Sequence, residues 1–392
     1  MTWTFDTGAK YHTQDTDYYC GAACAMMVLA EIGLPYTAMN QVDLYDSNHT
    51  HSQQPDWYSD PYGLRYTLVD RKPASFANTF VVYKPTTEEE GTRKIVYTLW
   101  RYGVSPVVLV YHCMHWIVVR GVQTDVEPTA GAAYTVNGFW INNPVYHDNS
   151  PHSATDVCGS GGVNGVENQW VSYAYWQNTL FTGCNYDSPT GSSQFISVCD
   201  PEEPKIELPR RPSFDPPFDG REIIPSDVAV RSVYEGIERF ELYDAKDQMA
   251  KLREPRFEAP ILVKRLDRPD SHYYLSPAML DGAVFGFGQV DAVYGDLQSV
   301  YILEEPTRPY DLDRETIAKS VLDRTFDLPE KQGQFRLRPD TFSVSPTLVW
   351  QPCRESYSPH LPFWQITAGG QSVFVRADGQ VYSQLTVTGA GV

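Results

Sequence analysis

Gln14-Asp15-Thr16-Asp17-Tyr18-Tyr19-Cys20-Gly21-Ala22-Ala23-Cys24-Ala25-Met26-Met27-Val28-Leu29-Ala30-Glu31-Ile32-Gly33 is the stretch from which the rest of the chain can be read. Ala, Met and Leu favour helix and Gly33 supplies a stop, so a helix is expected from Cys20 to Ile32. So few polar side chains interrupt it that burial is expected on all sides. Cys20 is then the first helical residue. Free backbone N–H groups and the helix dipole at that end favour an anion, here a thiolate. A thiolate is the form of cysteine that attacks an amide carbonyl. Gly21 has no Cβ, which lets a substrate carbonyl approach the Cys20 N–H. Gln14, six residues earlier, carries an amide able to donate to the same oxyanion. Cys24, one turn further on, reads as a small buried hydrophobe.

The base is sought downstream. Residues 104–122, VSPVVLVYHCMHWIVVRGV, read as two β-branched strands around a turn near His112 to Met114. His115 opens the second strand, whose rigidity suits a general base, while its rival His112 has less strand-like neighbours. A third strand, AAYTVNGFWI, ends at Asn142-Asn143-Pro144. An Asn there can accept from the imidazole N–H and hold the ring. Asn142 and Asn143 compete, because side chains alternate along a strand, and the step before Pro144 favours Asn143.

In their order along the chain, Gln14, Cys20-Gly21-Ala22-Ala23, His115-Trp116 and Asn143-Pro144 resemble the papain-like cysteine peptidases. The likeness is greatest to the bacterial C39-like branch, where a helix opens on a Cys-Gly-x-Ala-type motif and a residue-Pro step follows the His strand. It covers about Met1 to Asp200. It implies a papain-like fold with Cys20 as nucleophile, His115 as base, Asn143 as orienter and Gln14 as oxyanion donor. Many C39-like proteins have Asp-Pro where this chain has Asn143-Pro144, a change of electrostatics that keeps the orienting role. The loops between motifs are longer than in compact members, and processing of double-glycine leaders is not expected. The implied reaction is peptide or amide cleavage through a thioester, with a peptide or protein substrate and no cofactor. The alternatives are a transamidase or acyltransferase on the same fold, a zinc-bearing module or a catalytically silent binding module. Zinc would draw on Cys20, Cys24, Cys113 and His112 or His115, at a spacing odd for a structural site.

Length and composition bound the rest. At 392 residues the chain exceeds one ordinary core, so two domains are expected. A net charge of −18 repels nucleic-acid backbones and anionic membranes, so neither is an expected partner. The N-terminus lacks a signal-peptide pattern, and no apolar run reaches the roughly 20 residues of a membrane span. A cytoplasmic location is expected, with signal-independent export left open. Seven cysteines at irregular spacing suit reduced thiols, and Cys158, Cys184 and Cys199 have no assigned partner.

The organisation expected is α+β throughout: a papain-like domain at 1–200, a Pro-rich linker at 201–220 and a C-terminal domain at 221–392. Six prolines between Cys199 and Gly220 indicate an extended linker or a strap. Asp43 to Thr92 and Val145 to Val166 read as long surface loops, with Glu88-Glu89-Glu90 in a solvated one. After the linker, DVAVRSVYEGIERFELYD matches ETIAKSVLDRTFDLPE, and APILVKRLDRPDSHYYLSP matches SPTLVWQPCRESYSPHLPFW. The offset stays at 86 to 88 residues, as from Ile261 to Thr347 and from Asp227 to Glu315. Two helix-plus-antiparallel-strand units, about 221–308 and 309–392, are therefore expected. Gly369-Gly370 and Asp378-Gly379 read as tight turns. The final strands resemble small PepSY or cystatin-like units, which implies binding of a protein partner or of the chain's own protease domain.

Overall fold

Capping sets the first helices. Asn40, Asp60 and Thr87 each accept, through their side chains, the N–H three residues on, at Asp43, Gly63 and Glu90. The computed structural model describes residues 2–145, 166–213, 216–245, 247–253, 256–307, 314–328, 333–337, 346–368, 370–377 and 379–387. The N-terminal half contains β1 (Trp3–Asp6), α1 (Cys20–Glu31), α2 (Gln41–Thr50), α3 (Pro61–Arg71), β2 (Val81–Tyr83) and α4 (Glu88–Tyr102). It continues with β3 (Val107–Val110), β4 (His115–Thr124), β5 (Val136–Asn143), β6 (Val166–Ser172), the single turn α5 (Tyr173–Tyr175) and β7 (Ser197–Cys199). Beyond these come α6 (Ser226–Arg239), α7 (Leu242–Ala245), α8 (Asp247–Ala250), β8 (Arg256–Phe257), β9 (Ile261–Arg265), β10 (His272–Leu280), β11 (Ala283–Asp291) and β12 (Leu297–Thr307). The last elements are α9 (Arg314–Val321), β13 (Thr325–Leu328), β14 (Gly333–Arg336), β15 (Thr347–Trp350), β16 (Phe363–Ala368), β17 (Gln371–Arg376) and β18 (Val381–Tyr382).

Among the described residues one sheet runs in the order β18-β17-β16-β15-β9-β10-β11-β12-β6-β5-β4-β3-β7-β2, with β1 on β4 and β8 on β10. Its pairings are antiparallel except β9 with β15. The protein is thus α+β with a large, mostly antiparallel sheet. The sheet passes between the halves where Ser299 and Val300 of β12 pair with Val171 and Trp170 of β6. One apolar core likewise holds Ile95 and Val119 together with Val349 and Val375. β9 to β12 and β15 to β18 run as two meanders whose first strands lie side by side, Val349 opposite Lys264 and Trp350 opposite Arg265.

Strand β4 has every residue buried because both its faces are covered. Alternation sends Trp116 and Val118 into the core around α1, and Ile117 and Val119 into the core shared with α4. Helix α1 ends at Glu31, and Cys20 through Leu29 are all buried.

Several expectations need correction. Asp43 to Thr92 is not a long loop but carries most of α2, α3 and the start of α4. Its Asn, Asp, Ser and Thr residues serve as caps and half-exposed helix faces, which composition cannot tell from loop. Glu88-Glu89-Glu90 forms the first turn of α4, where acids suit the dipole. Glu88 is buried, accepting from Thr92 at 2.5 Å and from Gln177 at 2.8 Å. The helix of the second expected unit stops at Val321, and Thr325–Leu328 is a strand paired with β14. Most of Val145 to Val166, with Cys158, Gly369 and Asp378, lies outside the described residues. Gly370 has φ +78, and Ala368 pairs with Gln371 across the turn. The Pro-rich stretch is a strap on the N-terminal half: Ile206 is buried, and the Arg210 N–H donates to the Tyr134 carbonyl at 2.9 Å.

Cysteine use also differs from expectation. Cys113 and Cys184 form a disulfide 71 residues apart in sequence. Spacing hides such a pair because β3, β4 and the 180–184 segment meet only in three dimensions. Among the described residues no helix is long and apolar enough to cross a membrane.

Candidate active site

Helix α1 begins without a side-chain cap: Tyr19 precedes Cys20, and while its carbonyl accepts the Ala23 N–H at 2.9 Å, its side chain caps none of the first N–H groups. Its first N–H groups are therefore available to other acceptors. Those of Cys20 and Gly21, with the N–H of Trp116 on β4, lie close enough to the Cys20 sulfur to favour its anion. Complete burial outweighs them and pushes the thiol up to about 12. The expectation of a thiolate at rest is thus corrected: enclosed sulfur loses more solvation than three backbone donors restore. Cys24 is buried in the α1 core, with its thiol pushed up by the same cause.

His115 opens β4 and is wholly buried. Its Nε2 lies 2.7 Å from Asn143 Oδ1. Burial lowers its pKa to about 4, opposed by the Asn143 bond, so the ring is neutral. The competition between the two asparagines resolves physically. Asn142 is spent on structure, donating to the Ala9 carbonyl at 3.1 Å and accepting from the Asn168 N–H at 2.9 Å. A register shift between Ile141 and Asn143 on the β6 side re-aims the strand end there. His112 stands apart, its Nδ1 3.2 Å from the Gly183 carbonyl.

Among the described residues the buried Nδ1 of His115 has no hydrogen-bond partner. The bond from thiol to imidazole that general-base catalysis needs is therefore unmade in this conformation. His115 stacks on Tyr357, which belongs to the core shared with α4, whereas its neighbour Trp116 packs in the core around α1. Cys20 and His115 nevertheless converge on the first two residues of one strand. Gln14 is 1% exposed; among the described residues its Oε1 has no partner, and no hydrogen bond joins it to the other three site residues. Its neighbours are clamped by Gln41, which donates to the Thr13 carbonyl at 2.6 Å and accepts the Asp15 N–H at 3.0 Å.

Two contributors were illegible in sequence. Gln41 caps no motif, and only its contacts reveal the clamp. Tyr357, more than two hundred residues from Asn143, stacks on the His115 ring at 4.3 Å between centroids and 11° between planes. Its carbonyl accepts from Asn143 Nδ2 at 3.1 Å. Arg354 donates to the Tyr58 hydroxyl at 3.1 Å and lies 3.6 Å from Asp17, between Gln14 and Cys20 in sequence. The zinc alternative loses one of its ligands, since Cys113 is oxidised. No family model, curated protein or solved structure matches the chain.

Proposed function

We propose that this chain is a cysteine-type hydrolase of papain-like design, cleaving peptide or amide bonds through a Cys20 thioester. The observation that carries the reading is the buried His115–Asn143 pair beside an uncapped helix that starts at Cys20. Asn143 Oδ1 accepts from Nε2–H, so Nδ1 keeps the lone pair that takes a thiol proton. The thiolate attacks the carbonyl. The oxyanion rests on the Cys20 N–H and the Gln14 amide, and His115 as imidazolium protonates the leaving amine. Water, activated by His115, then releases the acid. Gln14, Cys20, His115 and Asn143 are each at most 1% exposed, so substrate entry requires the cleft to open and the thiol to turn toward Nδ1.

The enclosure and the unmade thiol–imidazole bond favour a second reading, a catalytically silent binding module. The cytoplasmic location expected from sequence sits beside a disulfide, a bond characteristic of oxidising compartments.

The deciding experiment incubates the protein with a peptide library and with peptidyl acyloxymethyl ketones, mapping adducts by mass spectrometry. The hydrolase reading expects cleavage and a Cys20 adduct, both abolished in a folded Cys20→Ala variant. Cleavage that survives Cys20→Ala, or a library and probes that all fail, would sink it in favour of the silent module.

A further inference from the structure

We infer that Tyr357, from the C-terminal half, is a positioning residue of the candidate site, setting the tautomer and orientation of His115. The inference rests on the hydrolase reading for its purpose, though its geometry stands independently. An asparagine amide can face a histidine with either end, and the end presented decides which ring nitrogen carries the proton. Here the Asn143 Nδ2 donates to the Tyr357 carbonyl at 3.1 Å. That bond turns Oδ1 toward His115 Nε2 at 2.7 Å, so Nε2 holds the hydrogen and Nδ1 is left basic. The Tyr357 ring lies flat on the imidazole at 4.3 Å, which fixes the plane of the ring and seals the bond from water.

The segment that presents Tyr357 is anchored from several sides. Ser356 Oγ donates to the Leu361 carbonyl at 2.8 Å, and the Tyr273 hydroxyl donates to the Pro359 carbonyl at 2.6 Å. Arg376 donates to the Glu355 carbonyl. Tyr357 is 2% exposed and also stacks on Tyr111, at 6.3 Å and 19°. Held in this way, and joined to the rest through one sheet, the segment is part of the site and not a detachable lid.

The test compares Tyr357→Phe, which keeps the ring, with Tyr357→Leu and Tyr357→Met, which keep bulk without it. Selective 15N-histidine NMR reads the His115 tautomer, and a peptidyl acyloxymethyl ketone reads the rate of Cys20 capture. Tyr357→Phe is expected to keep the wild-type tautomer and rate. The Leu or Met variant, whichever folds, is expected to keep the Nε2–H tautomer that the backbone carbonyl sets, to show a shifted His115 ring signal, and to be captured about tenfold more slowly, the scale of one lost aromatic stack. A folded Leu or Met variant captured at the wild-type rate, or a wild type whose His115 carries its proton on Nδ1, overturns the inference. Faster capture also overturns it and makes the segment a plug. Failure of the hydrolase reading looks different: the wild type shows no capture, while its Nε2–H signal still reports the arrangement of Asn143 and Tyr357.

Discussion

Gly21 places the sulfur-bearing end of α1 by what it lacks. A Cβ there would lie 2.7 Å from the Ser59 Cβ and 2.8 Å from its Oγ, closer than real contacts. Ser59 cannot yield easily: Asn48 Nδ2 donates to its hydroxyl at 3.1 Å, and Trp116 Nε1 donates to its carbonyl at 2.9 Å. The glycine was read from sequence as room for substrate, whereas its observed neighbour is the Ser59 loop. Gly21→Ala is accordingly expected to overpack this junction at a cost of about 1–3 kcal/mol, measured as a lower urea midpoint at unchanged m-value. A midpoint equal to wild type would mean that the loop and helix separate freely.

The β3–β4 hairpin carries His115 on a backbone that resists its own turn. Tyr111, His112 and Cys113 adopt φ of 54°, 55° and 66°, a left-handed run that non-glycine residues avoid. The Cys113–Cys184 disulfide ties the end of this run to the 180–184 segment, two residues before the candidate base. Replacing both cysteines by alanine is expected to lower stability by about 3–4 kcal/mol, as closure of a long loop implies. Chemical denaturation with and without reductant checks this: reductant should move the wild type alone toward the variant. The strands of this hairpin were legible because β-branched alternation is local. The pairing of Cys113 was not, since nothing between the two cysteines marks them as neighbours. Helices α2 and α3 were missed for a related reason: Asn, Asp and Ser fit both loops and caps, and only burial of Leu44, Leu64 and Leu68 separates the two.

Across the whole molecule, buried titratable groups set opposing pH limits. His115 and His360 are held neutral, with pKa lowered by burial to about 4 and about 3. The unfolded chain protonates both below 6.5, so their contribution is complete above that pH and is lost as pH falls toward 4 and 3. Glu31 behaves oppositely. Burial raises its carboxyl from 4.5 to about 7 despite hydrogen bonds from Thr7 and Ser105. Folded Glu31 binds a proton that the unfolded chain has released, so stability declines as pH rises from about 4.5 to about 7. Glu31→Gln is expected to gain stability relative to wild type at pH 8 and to lose that advantage at pH 4.5. Thermal melts at both values decide it, and an equal difference at the two would contradict the buried-acid assignment.

Features that depend on near neighbours were legible in the chain. The buried helix from Cys20, the strands around His115 and Asn143, and the α+β class all follow from helix propensity, the Gly33 stop and β-branching within short windows. Long-range packing settled that Tyr357 roofs His115, that Cys113 is oxidised and that one sheet crosses from β6 to β12. Those outcomes depend on contacts between residues tens to hundreds of positions apart, where chain connectivity constrains distance weakly. The charge state of the site belongs with them. A helix N-terminus favours a thiolate locally, but burial, a property of the whole packed molecule, keeps Cys20 a thiol and His115 neutral.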